Sequence, residues 1–150
     1  MTERLFAISD IHGCYHTFIK LLDKIELKKS DRLVIIGDLI DRGTGSKQLI
    51  DEILKLQNEG FKILVTMGNH EDLMLESVQS QRKKDVWLIN GGDETLKSFK
   101  ASSYSELDEK YKEFFSSLPL YVGIGEFIFI HGGVDNSNKD PFHKKSAFFV

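Results

Sequence analysis

Short apolar segments alternate with amphipathic helical segments through the first half of this 150-residue chain, and this alternation limits the folds open to it. The predicted strands are Arg4–Ser9, Leu33–Ile36 and Lys62–Thr66, and the predicted helices are Tyr15–Ile25 and a segment from a Ser46 cap to Gly60. Apolar strands separated by helices favour βαβ units, with a parallel sheet covered on both faces. The sequence therefore predicts an α/β domain.

The second half is less regular and favours several helices followed by a hairpin. The helical spacing predicts three helices, over Glu71–Ser80, Asp85–Ile89 and Ser105–Ser117, with a turn at 90–93. Two apolar runs, Leu120–Ile124 and Phe127–Ile130, flank Gly125 and predict a β-hairpin. The last residues, 147–150, are apolar, and we expect them to begin another element of the core.

Composition and charge exclude several classes of protein. A net charge of −3 provides no basic field for nucleic acid or an acidic membrane surface. No apolar run approaches the roughly 18–20 residues that a membrane helix needs. The single cysteine, Cys14, forms no internal disulfide, which fits a reducing compartment. We expect one domain over residues 1–150 in the cytoplasm, with no nucleic-acid or membrane partner, and the sequence leaves the oligomeric state open.

Four predicted strands are each followed by a glycine-bearing turn rich in side chains that can bind metal ions. The turns are Ser-Asp-Ile-His-Gly (9–13), Gly-Asp-Leu-Ile-Asp-Arg-Gly (37–43), Gly-Asn-His-Glu (68–71) and His-Gly-Gly (131–133). In open α/β sheets the carboxyl ends of the strands line one crevice. The sequence therefore predicts that these turns converge on one site.

The residue types in these turns fit a pair of divalent cations. Asp10 and His12 are two residues apart, so an extended backbone would point both in the same direction. Asp38 has two oxygens that could bridge two ions, while Asn69 offers an amide oxygen and His131 an imidazole. Mixed oxygen and nitrogen ligands favour manganese, iron or zinc over magnesium, and manganese is our first expectation. Two such ions would turn a bridging water into a hydroxide that attacks phosphorus.

The four motifs, in this order, resemble those of the phosphoprotein phosphatase branch of the calcineurin-like metallophosphoesterases. The small bacterial and phage-lambda-type serine/threonine protein phosphatases are the most similar group. Further similarity lies in His-Gly-Cys-Tyr (12–15), in Trp-Leu-Ile-Asn-Gly-Gly (87–92) and in Leu-Pro (118–119). The resemblance runs from about residue 6 to residue 134. It rests on the combination of motifs, because each motif alone could have a purely structural role.

The resemblance implies a role for each matching residue. Asp10, His12 and Asp38 would hold the first metal, and Asp38, Asn69 and His131 would hold the second. His70 would be the general acid that protonates the leaving alcohol, with Asp41 orienting it. Arg42 would bind the phosphate oxygens. Trp87 is interpreted as a core residue, and His16 and His143 as surface residues.

The resemblance also implies a fold and a reaction. The fold would be a metallophosphoesterase sandwich of two β-sheets flanked by helices. The reaction would be hydrolysis of phosphomonoesters by direct attack of a metal-bridging hydroxide, on a phosphorylated protein or a small phosphoester. A serine/threonine protein phosphatase is the first expectation, with dual specificity left open. A symmetrical dinucleotide-polyphosphate hydrolase is the rival enzyme, although that family typically lacks the aspartate found here at position 41.

The sequence departs from the family after the His-Gly-Gly motif. The family's later Gly-His motif and its second phosphate-binding arginine have no counterpart, since no arginine follows Arg82. We therefore expect about the last third of the catalytic domain to be missing and the second sheet to be incomplete, with an exposed edge. The alternative outside enzymes is an inactive fragment that binds metal or phosphate.

Overall fold

A three-stranded parallel sheet forms the centre of the computed structural model, which describes residues 3–134 and 147–148. Its strands are β1 (Leu5–Ser9), β2 (Arg32–Ile36) and β3 (Lys62–Thr66), in the order β1-β2-β3. The register pairs Ser9 with Ile36 and Ile36 with Thr66, so all three strands end at the same edge. The predicted strands and their parallel arrangement are confirmed, and the loops that follow them start side by side.

Two helices cover one face of this sheet and form the core with it. Helix α1 spans Tyr15–Ile25 and helix α2 spans Ser46–Asn58. Their apolar faces pack on alternate residues of the strands because side chains in a strand point to opposite faces in turn. The buried residues of this layer include Phe18, Leu33, Ile35, Leu49, Ile50, Ile53, Ile63 and Val65.

A run of short helices follows β3 and surrounds the end of the sheet that carries the loops. These are α3 (Asn69–Glu76), α4 (Gln81–Trp87), a π-helical turn (Leu88–Gly92), α5 (Asp93–Phe99), a 3₁₀ turn (Tyr104–Glu106) and α6 (Glu109–Ser117). Trp87, Tyr111 and Phe115 are almost fully buried and join these helices to the core. None of the helices in the described ranges is long and apolar enough to cross a membrane.

Two antiparallel pairs of strands follow the helices, and the first pair contacts the parallel sheet. Strands β4 (Tyr121–Ile124) and β5 (Phe127–Ile130) form an antiparallel hairpin, and β6 (Gly133–Val134) pairs with β7 (Ala147–Phe148). The hairpin leaves Phe127 61% exposed and Ile128 48% exposed. The described part of the chain thus combines a parallel sheet, surrounding helices and a small second layer, as the predicted α/β fold requires.

Several predicted helix boundaries are wrong. Helix α3 begins at Asn69 rather than Glu71 and ends at Glu76, because Ser80 caps the next helix by accepting a hydrogen bond from the Lys83 amide. The segment predicted as one helix over Ser105–Ser117 is broken by extended backbone at Leu107 and Asp108. At the start of α2 the cap position belongs to Gly45, and Ser46 is the first helical residue.

The predicted turn at 90–93 is a kink inside the run of helices, between the π-helical turn and α5. Gly91 adopts a φ of 103°, which only glycine reaches without strain, and this allows the chain to change direction inside the helical run. Asp93 and Glu94 then occupy the first turn of α5, where negative charge is favourable.

Candidate active site

The loops after the strands are joined to one another by backbone hydrogen bonds. The His12 amide donates to the Asp38 carbonyl at 2.9 Å, and the Gly13 amide donates to the Leu39 carbonyl at 2.7 Å. The loop after β1 is thereby held against the loop after β2, as the common edge of the strands predicts. Asp10, His12 and Asp38 consequently lie close together.

The backbone of these two loops is strained at five residues that are not glycine. The φ angles are 55° at Asp10, 45° at His12, 52° at Asp38, 70° at Asp41 and 66° at Arg42. Left-handed backbone is unfavourable for residues with a Cβ, and it persists only where surrounding contacts enforce it. Every one of these five residues belongs to the set that the sequence singles out, so the strain is concentrated at the predicted site.

Asp38 belongs to two clusters of side chains whose ligand atoms lie within 4.8 Å of one another. One cluster is His12, Asp38 and His70, and the other is Asp10, Asp38 and His131. His12 Nε2 lies 3.6 Å from Asp38 Oδ2 and 4.0 Å from Asp10 Oδ1. The Asp38 carboxylate therefore lies between two groups of nitrogen and oxygen donors.

His131 and Asn69 meet beside the Asp38 carboxylate. His131 Nε2 lies 3.0 Å from Asn69 Oδ1 and 3.3 Å from Asp38 Oδ2. The neighbouring Asp38 carboxylate raises the pKa of His131 to about 9, despite the opposing effect of burial. Burial would raise the pKa of Asp38, but the contacts from His131 and His70 outweigh it and lower that pKa. Two oxygens and a nitrogen thus converge on one point, where a positive charge is favoured.

The orientation of two imidazoles fits a metal ion. His12 Nδ1 lies 2.9 Å from the Ile40 carbonyl and His131 Nδ1 lies 2.8 Å from the Ile36 carbonyl, so each Nδ1–H can donate to backbone oxygen. His12 Nε2 therefore keeps a lone pair, and His131 Nε2 would offer one to a metal ion that displaces its proton, which is the usual arrangement of histidine ligands. Together with carboxylate and amide oxygens, these donors suit manganese, iron or zinc.

His70 and Asp41 form a buried pair next to the two clusters. His70 Nδ1 lies 2.7 Å from Asp41 Oδ2, and the side chains are 2% and 0% exposed. Burial lowers the pKa of His70, but the hydrogen bond to Asp41 and the charge of Asp38 outweigh it and leave the pKa raised. The pair can therefore hold a proton on an imidazole of fixed orientation.

Arg42 places its guanidinium between the two histidines of the first cluster. Nη1 donates to His12 Nε2 at 3.0 Å, and Nη2 donates to His70 Nε2 at 3.1 Å. The Arg42 residue is exposed, so its cationic group lies at the open side of the site. An anion such as phosphate could bind there without burying an unpaired charge.

The structure brings all eight predicted site residues together. It also adds three residues that sequence reasoning did not assign to the site: Glu71, Trp87 and Thr95. Glu71 is three residues after Gly68 at the start of a helix, a spacing that could have revealed its bonds to backbone amides. Trp87 is buried in the core as predicted, but its indole also donates to Asp41. Nothing in the sequence pattern marks Thr95.

The remaining predictions near the site have mixed outcomes. His16 is exposed on α1, which confirms that it is a surface residue. The Gly91 carbonyl accepts a hydrogen bond from the Arg42 amide at 3.2 Å, so the 90–92 segment does lie beside the site. His143 is outside the described residues.

The chain belongs to the calcineurin-like phosphoesterase family, whose model matches residues 3–148. It is 26% identical to an asymmetrical bis(5'-nucleosyl)-tetraphosphatase of Bacillus velezensis, over 95% of this chain and 61% of that protein. It is 37% identical to serine/threonine-protein phosphatase 1 of Salmonella typhimurium, over 61% of this chain and 40% of that protein. The chain thus spans less than two thirds of the length of either relative.

A solved structure supports the same fold. The protein serine/threonine phosphatase of Saccharomyces cerevisiae superposes with a TM-score of 0.58 at 24% sequence identity, over 95% of this chain and 48% of that one. At this level of identity the likeness concerns the fold alone. Family membership relates the chain to phosphoesterases, and its relatives are named for both phosphoprotein and dinucleotide substrates.

Proposed function

We propose that this chain is a metal-dependent phosphomonoesterase domain that acts on phosphorylated serine or threonine in proteins. The observation that carries this proposal is the buried hydrogen bond of 2.7 Å between His70 and Asp41. A serine or threonine alkoxide is a strongly basic leaving group, so its departure needs a proton donor. A nucleoside phosphate is a weakly basic leaving group and needs that donor far less. A fixed, buried imidazole therefore favours the phosphomonoester.

The metal ions would be held by the residues around Asp38. Asp10, His12 and Asp38 would hold one, and Asp38, Asn69 and His131 would hold the other, with manganese the first candidate. When bound, two such ions neutralise phosphate charge and activate a water molecule as nucleophile. The orientation of His12 and His131 supports this assignment, because both Nδ1 atoms bond to backbone carbonyls and leave the Nε2 atoms to face the ions.

The chain's own residues would position the substrate and move the proton. Arg42 would leave its contacts with the histidines and pair with two phosphate oxygens, for which its planar fork is suited. His70 Nε2 would then face the leaving oxygen and give it a proton. Asp41 would hold the imidazole in that orientation and stabilise its positive charge, which agrees with the raised pKa of His70.

The second candidate function is hydrolysis of a dinucleoside polyphosphate. The similarity to the Bacillus velezensis tetraphosphatase supports it, because that relative matches 95% of this chain. The presence of Asp41 weighs against the symmetrical kind of this hydrolase, which typically lacks the residue.

The test is manganese-dependent hydrolysis of three substrates by the folded chain, followed as phosphate released from the two monoesters and as nucleotides released from the tetraphosphate. The substrates are a phosphoserine peptide, 4-nitrophenyl phosphate and a dinucleoside tetraphosphate. The proposal expects release from the first two, and no release by the Asp38→Asn control. Hydrolysis of the tetraphosphate alone would favour the second candidate. If the folded, manganese-loaded chain hydrolyses none of the three substrates, the result favours the alternative of an inactive chain that binds metal or phosphate.

A further inference from the structure

Asp41 and Arg42 are consecutive residues that both need left-handed backbone, with φ angles of 70° and 66°. Neither is glycine, so surrounding contacts must hold both in place. Asp41 is also completely buried, and a buried carboxylate needs donors for its oxygens. The contacts that meet both demands come from the segment that contains the end of α4, the π-helical turn and the start of α5.

Two side chains of this segment fix the Asp41 carboxylate. Trp87 Nε1 lies 3.0 Å from Oδ2 and 3.1 Å from Oδ1, and Thr95 Oγ1 donates to Oδ1 at 2.7 Å. The His70 imidazole occupies the remaining direction at Oδ2. The carboxylate therefore accepts hydrogen bonds from an indole and a hydroxyl in addition to its contact with His70.

The same segment also fixes the backbone. Thr95 Oγ1 accepts a hydrogen bond from the Asp41 amide at 2.8 Å, and the Gly91 carbonyl accepts one from the Arg42 amide at 3.2 Å. The Thr95 hydroxyl thus binds both the amide and the carboxylate of Asp41. A single hydroxyl with two bonds to one residue sets the rotation of that residue's side chain relative to its backbone.

We propose that Thr95 and Trp87 are positioning residues that aim the Asp41–His70 pair at the leaving oxygen, an inference that rests on the proposed function. Thr95 and Trp87 would contact neither the substrate nor the metal ions. They would act through Asp41. Their loss would let the carboxylate rotate and misdirect the imidazole. Proton delivery would suffer, while binding of phosphate would not. The effect should therefore depend on how much the leaving group needs a proton.

The test compares kcat for a phosphoserine peptide, whose leaving alkoxide is strongly basic, with kcat for 4-nitrophenyl phosphate, whose leaving phenolate is weakly basic. We expect Thr95→Val to lower kcat on the peptide about 10-fold more than on the aryl phosphate, with KM little changed, as is typical for residues that orient a functional group. Thr95→Ser keeps the hydroxyl and should restore most of the peptide activity. Trp87→Phe should show the same selective loss of peptide activity, and it replaces Thr95→Val as the test if that variant does not fold.

Thr66→Val is a matched control for removing a buried threonine hydroxyl. Thr66 is fully buried, and its hydroxyl has no hydrogen-bond partner among the described residues. We expect this variant to retain wild-type kcat on both substrates. Equal losses on the two substrates in Thr95→Val and Trp87→Phe would indicate a general effect on folding and overturn the inference, as would wild-type kinetics in both.

A second readout does not depend on activity. Trp87 is the single tryptophan of the chain, so its indole N–H gives one assignable NMR resonance. A charge-assisted bond to a carboxylate moves such a resonance downfield, and Asp41→Asn should move it upfield. If the wild-type chain hydrolyses no phosphoester, the proposed function fails, and this resonance alone decides the positioning contact. An indole resonance unmoved by Asp41→Asn would then overturn the inference.

Discussion

Glu71→Gln tests how the loop that carries Asp38 is held in place. The Glu71 carboxylate is completely buried and accepts four backbone hydrogen bonds. Oε2 accepts from the amides of Gly68 and Asp38, both at 2.9 Å, and Oε1 accepts from Leu39 at 2.9 Å and Ile40 at 3.3 Å. The substitution keeps the shape of the side chain but replaces one oxygen by an NH₂ group.

The cost follows from the number of amides left without an acceptor. The remaining oxygen of glutamine can serve two of the four N–H groups, while the other two would face a donor. A buried donor without a partner costs about 1–3 kcal/mol, so the expected loss in the free energy of unfolding is about 2–6 kcal/mol. This is a large share of the roughly 5–15 kcal/mol that stabilises an ordinary domain.

The assay is urea denaturation at pH 8. Burial, and secondarily the charge of Asp38, raises the pKa of Glu71 to about 7, so the carboxylate is ionised at this pH. Glu76→Gln on the same helix is the control, because Glu76 is partly exposed and its ion pair with Lys83 at 2.9 Å lies near the surface. We expect the control to change stability by less than about 1 kcal/mol. A loss of the same small size in Glu71→Gln would refute the four-bond account.

Three further predictions concern stability, backbone strain and metal binding. The Arg4 guanidinium lowers the pKa of Asp31 from 3.8 to about 2, so this carboxylate stabilises the fold above pH 3.8 and stops doing so as the pH falls through 2. Asp31→Asn should therefore be less stable than wild type in urea at pH 7, by a margin that shrinks between pH 4 and pH 2; a constant margin would contradict this. Gly91→Ala should destabilise the fold by about 1–2 kcal/mol in the same assay, because φ is 103° and a Cβ would lie 2.7 Å from the Arg42 amide nitrogen; wild-type stability would show that the turn can relax. Calorimetric titration with manganese should resolve one tight and one weak site, because Asp10 and Asp38 would give one site two carboxylates while Asn69 gives the other a neutral amide; two equally tight sites would contradict this assignment.

The parallel sheet could be predicted from the sequence because its signals are local. A run such as Ile63-Leu64-Val65 between polar turns has few alternatives to a buried strand, and α1 shows its helical period throughout Tyr15–Ile25. The second half gave weaker signals. Asn90-Gly91-Gly92 has the composition of a turn and does bend the chain at Gly91, but its contact with Arg42 joins segments far apart in the sequence and could not be predicted.

The convergence of the site residues could be predicted from their position after strands, whereas the residues that hold them could not. Thr95 is 54 residues from Asp41 along the chain, and no periodicity connects the two. Glu71 lies within a recognised motif, but its partners at 38–40 become its neighbours only when β2 and β3 pair. Contacts that hold a site residue in place depend on tertiary structure, which sequence patterns do not reveal.

The bond between His131 and the Ile36 carbonyl joins residues 95 positions apart, and this separation bears on how the site is assembled during synthesis. The cluster of His12, Asp38 and His70 has all its members once residue 70 has left the ribosome. The cluster with His131 must wait for the β4–β5 hairpin, and closing so long a loop is slow because of its entropy. The two halves of the site are therefore expected to mature in sequence order, with the Asn69 and His131 half last.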